Sequence, residues 1–549
     1  MKKTALSSFF ALYLLFVLTS CEKQEVEKKK FVNGIHLNVL QDVITLDPRK
    51  GADYISGSIQ YLLFEGLMRM TPDSVSSPAI ADKIDVSEDG LTYTFHLRNS
   101  KWSNGLPITA YDFSQTWLDM LNPNFPAPNV HLLYPIKNAE KAKRGVVSQN
   151  EVGIKVLNYN TIEVTLESPT PYFKELITFC VFYPVCQHTA LENEGWALEN
   201  EGGFVGNGPY RLAKRRPGRE IILEKNPFYW DAKSVELEQI SISIVDNEST
   251  ALHLYNNNEL DLIGLPFRGI PSDSIPDLLD KGLIETTDVP ASTICCFNMD
   301  KYPFNNKNIR KAFAYSIDRK SLVDNITQIG ETPGVDLLPE SLLSNQPEPF
   351  FKDGDVESAQ KFLALGLKEL KITIDDLPKL TLLHSTTGNS PKIAQALQDQ
   401  WRKALGITVL LSSEEYKVYL DKLGTKDFDI SQCVWIAQYP DPMNILDRFR
   451  IKTNTKNIPG YSNEEYSNIL ESSMYYLNKE ERFELLKKAL LILNDDVPLT
   501  ALYHWKNPYM KKKHVDGLVV DKWGFSYLTG IKVNEKKVPE NRPVLASVN

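Results

Sequence analysis

Eight residues, W-I-A-Q-Y-P-D-P from Trp435 to Pro442, put two aromatic rings, a primary amide and one carboxylate side by side. Their chemistry is recognition rather than bond making. Aromatic faces make walls, an amide donates and accepts hydrogen bonds, and a carboxylate neutralises a cation. Trp435, at the end of an alternating run, is read as a pocket wall, against the plainer reading of a core tryptophan. Asp441 also has two readings. Followed by Pro442 it makes an N-cap and first-turn pair for the helix M-N-I-L-D-R-F; otherwise it is an anion facing a ligand. Catalytic groups do not gather elsewhere. The histidines stand at 36, 96, 131, 188, 253, 384, 504 and 514, and no two have the i, i+4 spacing of H-E-x-x-H. The chain has no G-x-S-x-G elbow and no Walker loop. G-N-G-P-Y (206–210) lacks a third glycine, and Pro209 removes an amide, so it reads as a tight turn leading into a strand. No catalytic residue, metal ligand or cofactor is assigned, and an enzyme is not expected.

Such a site needs a scaffold, and residues 380–450 supply a legible one. L-T-L-L-H-S (380–385) reads as a buried strand. Ser390 offers an N-cap and Pro391 a first helical position. The helix that follows puts Ile393, Ala394, Leu397, Trp401 and Leu405 on one face, with Gly406 closing it. I-T-V-L-L (407–411) reads as a second strand, E-E-Y-K-V-Y-L-D-K-L as a second helix ended by Gly424, and F-D-I-S-Q-C-V-W-I-A as a third strand. Strand, helix, strand, helix, strand predicts an α/β layer, whose ligands sit off the carboxyl ends of the strands. The stretch at Trp435 is at one such end. T-Y-T-F-H-L (92–97), T-I-E-V-T-L (161–166) and I-S-I-S-I-V (240–245) alternate as strands. Residues 308–318 and 480–493 are amphipathic helices, and Ser462 with Glu465 has capping-box spacing.

The 549 residues exceed one compact core, so more than one folding unit is expected. Hydrophobic residues make up 42% and charged ones 24%, an ordinary globular balance, and the net charge of −9 argues against nucleic acid as partner. The N-terminus carries Lys2 and Lys3, an apolar run from Ala5 to Leu18, and L-T-S-C (18–21), the plan of an export signal too short to span a membrane. The run resembles a bacterial lipoprotein signal, with residues 1–20 removed and Cys21 acylated. The charged stretch 21–30 then reads as a tether to a bilayer. The other cysteines are 180, 186, 295, 296 and 433, none at C-x-x-C spacing. Cys295 and Cys296 would face opposite sides of a strand, and a disulfide among 295, 296 and 433 is left open.

Several segments in order resemble the family-5 solute-binding proteins of bacterial ABC importers, the oligopeptide-binding group in particular. They are I-T-L-D-P (44–48), L-F-E-G-L (63–67), T-F-H-L-R-N-S-K-W-S-N-G-L-P-I-T-A-Y-D-F (94–113), V-T-L-E-S-P-T-P-Y-F (164–173), G-N-G-P-Y, N-P-F-Y-W (226–230), P-F-N-N-K-N-I-R-K-A-F-A-Y-S-I-D-R (303–319) and W-I-A-Q-Y-P-D-P. The resemblance implies an α/β fold of the periplasmic-binding-protein type II-like kind: two lobes joined by a hinge, with an extra inserted domain. Lobe I would be 31–64, 187–290 and 506–549, the inserted domain 65–186, and lobe II 291–505. It implies a monomeric lipoprotein of the bacterial envelope that captures a peptide between its lobes and delivers it to an ABC permease in the cytoplasmic membrane. Trp435, Ala437 and Tyr439 match the family's binding pattern, and Tyr416 an aromatic position two elements earlier. The family's aspartate for a peptide ammonium is Gln438 here, and its arginines fall at Leu423 and Gln432. A buried ammonium needs a counter-charge, and an amide supplies none. Asp441 is therefore the replacement candidate, unless the ligand is a modified peptide, a dipeptide-like thiol or a metal complex. From another class, the rival reading is a surface lipoprotein for adhesion or signalling.

Overall fold

The computed structural model describes residues 33–543, apart from 52, 199–202, 268, 344–349, 351 and 477. The export signal, Cys21 and the tether lie outside the described residues. Among the described residues no helix is long and apolar enough to cross a membrane.

Period-2 alternation builds the smaller lobe. The strand Gly34–Val39 buries Ile35, Leu37 and Val39 and pairs in parallel with Gln239–Ile244. The sheet continues antiparallel through Glu220–Lys225 to Tyr210–Arg216. Parallel neighbours need a crossover, and this one is long enough to hold a domain. Within it lies a second four-stranded sheet, in the order 81–86, 92–97, 161–165, 154–158. The helix Ala110–Leu121, started by a Thr109–Asp112 capping box, buries Phe113, Trp117 and Met120.

One clamp holds the excursion to the lobe. The Asn207 side chain accepts from the Glu65 N–H and donates to the Glu65 carbonyl, both at 2.9 Å. Gly206 and Gly208 flank it because a Cβ would fall 2.2 Å from the Leu63 carbonyl oxygen and 2.5 Å from the Phe64 nitrogen, respectively. These glycines permit close approach of two backbones, where the sequence reading expected only a turn. Trp230 donates to the Glu65 carboxylate, and the Arg98 guanidinium lies 3.7 Å from the Trp230 ring centre.

The larger lobe is an α/β layer. Its sheet runs 262–263, 499–511, 285–297, 430–436, 381–385, 410–414, with 332–333 paired to 499–511. The pairs of 381–385 with 410–414 and 430–436 are parallel. One face packs Phe297, Phe313 and Trp401 under the helices Lys307–Tyr315 and Ser390–Leu405. The other packs Tyr419, Tyr466 and Leu486 from Tyr416–Gly424, Glu464–Ser473 and Lys479–Asp496. Cys295 and Cys296 enter opposite cores, and all five described cysteines are buried free thiols.

Three boundaries differ from the sequence reading. The second strand is Leu410–Glu414 rather than starting at Ile407, because Ile407 and Val409 are buried in the connection without joining the ladder. Helix 390–405 includes Ser390, whose hydroxyl donates to the Gln432 side chain instead of capping; Gly406 closes it at φ 73° as expected. Asn463 rather than Ser462 caps the helix 464–473, accepting from the Tyr466 N–H.

Two long strands, Glu285–Phe297 and Leu499–Lys511, connect the lobes. Their ladder shifts register between Asp288 and Ser292, where Pro290 has no N–H to give. Beyond the break, Lys511 and Met510 pair with Leu262 and Ile263, and this end of the sheet reaches the smaller lobe, where the Asp261 N–H donates to the His36 carbonyl at 2.9 Å.

Candidate functional site

A cavity of about 1590 Å³ lies between the lobes, larger than the few hundred to a thousand cubic ångströms typical of a small-molecule pocket. The smaller lobe and excursion contribute Glu65, Asn129, His131 and Tyr183; the larger lobe contributes Tyr416, Val434, Ile436 and Ala437; the C-terminal segment adds Trp523 and Phe525. The strand Ile430–Ile436 reaches this cavity at its carboxyl end, beside the register break, where the Ala437 N–H donates to the Pro290 carbonyl at 2.8 Å.

The residues picked from sequence divide. Tyr416, half exposed, and the half-buried Ala437 and Gln438 line the cavity. Gln438 Nε2 donates to Asn129 Oδ1 at 3.3 Å, a bond from the larger lobe to the excursion. Tyr439 also lines it, but its ring is stacked on Tyr172 at 5.2 Å with the planes 7° apart. Trp435 is not a wall. Strand alternation turns it into the core, 5% exposed and 5.3 Å from the Phe449 ring, while Val434 and Ile436 face the cavity. Asp441 is not an available anion either. It is 4% exposed, and Arg482 holds its two oxygens at 2.6 and 2.7 Å. The same carboxylate accepts from the Met443 N–H at 2.9 Å, but the N-cap of the short helix Met443–Leu446 is Pro442, so the expected cap and first-turn pair is shifted by one residue. Leu423 and Gln432 are buried, the latter's carbonyl accepting from the Tyr419 hydroxyl.

The sequence model of the bacterial extracellular solute-binding proteins, family 5, matches residues 76–457. The oligopeptide-binding protein OppA of Bacillus subtilis is 36% identical over 95% of this chain and 98% of its own length. The chain belongs to this family. Among solved structures, Listeria monocytogenes OppA bound to peptide matches with a TM-score of 0.74 at 30% identity, covering 92% of this chain and 99% of its own. Haemophilus influenzae OppA in complex with RPPGFSPFR gives 0.76 at 27%, over 92% and 100%. Family 5 proteins are substrate-binding components of transporters outside the cytoplasm, and the two-lobed α/β architecture follows theirs.

Burial sets the electrostatics of the cleft. Burial pushes the Glu65 carboxyl up, with Arg69 opposing. Burial raises the Tyr439 hydroxyl well above its ordinary range, and the charges of Asp441 and Asp447 add to it. Arg448 is held down to about 10 by burial, and His131 to about 4 by burial together with the charges of Lys456 and Arg448. Arg448, His131 and Lys456 all line the cavity, and the sequence alone marks none of them, nor Asn129, Tyr172 or Trp523, as a site residue. Arg448 alone carried a local signal, at i+4 from Asn444 just past the motif, and its guanidinium does bond Asn444. The others come from segments that only the tertiary fold brings to the cleft. Among the described residues no group of three or more His, Cys, Asp or Glu is placed to hold a metal ion.

Proposed function

We propose that this chain is the extracytoplasmic substrate-binding component of an ABC importer, and that it captures peptides between its lobes and hands them to a membrane permease. The observation that carries the reading is the interlobe cavity of about 1590 Å³, built around the end of a strand and walled by side chains of both lobes. An extended peptide can bond its main chain to such a strand end while its side chains enter loosely selective space. The Bacillus relative is an oligopeptide-binding protein and the Listeria and Haemophilus structures hold peptides, which supports peptides as the ligand class. The two long strands with their break at 288–292 are the hinge, and closure around the ligand is the whole mechanism; no bond is made or broken.

Lys2, Lys3, the apolar run and L-T-S-C support acylation of Cys21, with 21–30 as tether and the folded body a monomer on the bilayer surface. The separate sheet at 81–165 supports an inserted domain over 65–186. The paired ends of the long strands support lobe I as 31–64, 187–290 and 506–549, and lobe II as 291–505. Gln438 in place of an acid favours ligands without a free amino group at that end, such as modified peptides.

The test is a thermal-shift and native mass-spectrometry screen of di- to octapeptides. A ligand at a hundred times its Kd adds about 2.7 kcal/mol of stability; if no peptide in the screen shifts the melting temperature, the reading fails. Gln438→Asp should tighten peptides with a free amino end and leave acetylated ones unchanged, and equal effects on both would remove the ammonium argument.

A further inference from the structure

We propose that the Gln438 end of the cleft is an anion subsite, in which Arg448, Lys456 and His131 receive a carboxylate of the ligand. The proposal rests on the peptide reading above and names the chemistry selected at one end of it.

Cations elsewhere along the cleft are already matched. Arg69 meets Asp231 at 3.1 Å, Arg144 meets Glu140 at 2.5 Å, and Arg450 meets Asp447 at 2.5 Å. Arg448 differs. Its guanidinium donates to the Asn444 carbonyl at 3.0 Å, the Asn444 amide oxygen at 3.3 Å and the Ile436 carbonyl at 3.5 Å, all neutral acceptors. The Trp435 ring, 5.8 Å from its centre, gives it an aromatic neighbour but no negative charge. Lys456 is pushed down by shielding from water and by Arg448, and His131 by burial, Lys456 and Arg448. All three line the cavity, with Arg448 bonded to the Ile436 carbonyl two residues before Gln438 and His131 two residues after the Asn129 that bonds Gln438. Among the described residues none of the three forms an ion pair with a carboxylate, and the Tyr439 hydroxyl favours the Arg448 cation.

A shielded guanidinium without counter-charge is costly to hold, and a carboxylate docked on its planar fork would relieve it. Lys456 adds a point charge, and His131 either donates as the neutral ring or protonates once the anion arrives. Gln438 fits the same scheme. The amide is engaged by Asn129 and brings no negative charge into the field of the three cations.

The carboxylate can be an Asp or Glu side chain or the peptide's own C-terminus. Two synthetic random tetrapeptide pools, one of C-terminal amides and one of free acids, are incubated with the protein freed of co-purified ligand. Retained peptides are then sequenced by mass spectrometry for wild type, Arg448→Gln and Lys456→Gln. Enrichment of Asp and Glu over Asn and Gln by about tenfold at one position of the amide pool is expected. Retention confined to free acids instead assigns the anion to the chain end. Either preference should disappear in Arg448→Gln and weaken in Lys456→Gln, a turn position outside every helix and strand. Retained peptides with neither preference overturn the subsite and leave peptide capture standing. So does a preference that both variants keep, or, should Arg448→Gln not fold, one that Lys456→Gln keeps in full. Retention of no peptide at all overturns the peptide reading and this inference with it.

Discussion

Asp441 is the one anion in W-I-A-Q-Y-P-D-P, and its own chain neutralises it. Arg482 is 2% exposed and meets both carboxylate oxygens, while its guanidinium lies 5.3 Å from the Tyr172 ring centre. The pair ties the helix Lys479–Asp496 to the loop that carries Tyr439, which stacks on Tyr172 of the excursion. Removing one partner leaves a buried charge uncompensated, so Asp441→Asn should destabilise the protein by about 3–5 kcal/mol, read from urea unfolding. Asp441→Asn with Arg482→Met should recover more than half of that loss. If Asp441→Asn instead abolished peptide binding with unchanged stability, the aspartate would be a ligand group after all. Sequence could not separate these outcomes. Residue type and neighbours propose an anion or a helix start, but the arginine that decides between them is supplied by a distant helix.

Elements were more legible than contacts. Alternation placed the strands 92–97, 161–165 and 239–244 within a residue of their observed ends, because an exposed and a buried face leave a period-2 record. The same record fails where an apolar run is buried without pairing, as at Ile407 and Val409. Short motifs between elements carry a different content. G-N-G-P-Y is a clamp, in which Asn207 supplies to the Glu65 backbone the two hydrogen bonds that a sheet would have supplied. Asn207 is 1% exposed, so Asn207→Ala strands a buried donor and a buried acceptor. The expected loss is about 1–3 kcal/mol for each stranded group. Thermal unfolding followed by proteolysis of the excursion checks it, and a loss under about 1 kcal/mol in total would mean that water replaces the amide.

At the scale of the whole molecule, Asp261 joins three remote parts of the chain. It accepts from the His36 N–H at 2.7 Å, pairs with His514 at 2.8 Å, and takes two bonds from Arg542 at 2.8 and 2.5 Å. Burial alone would raise its carboxyl, but the bonds from His514 and Arg542 outweigh that and hold it near 2, against an ordinary 3.8. The unfolded chain therefore takes up this proton first as pH falls. The stabilisation is complete above about pH 4 and is lost toward pH 2, a change of about 2 kcal/mol. Equilibrium unfolding across that range should show the decline in wild type, and the corresponding part of the slope should be absent in Asp261→Asn; equal slopes would remove Asp261 from the account. By itself the sequence determined the α/β layer, the order of elements and the family, because periodicity, caps and short motifs are local and linear. The tertiary structure decided which face of the strand 430–436 meets the cleft, which cations there have no carboxylate partner among the described residues, and that Gln438 reaches across to Asn129. Those facts depend on segments hundreds of residues apart, and a local pattern holds no trace of the residue that will stand opposite it.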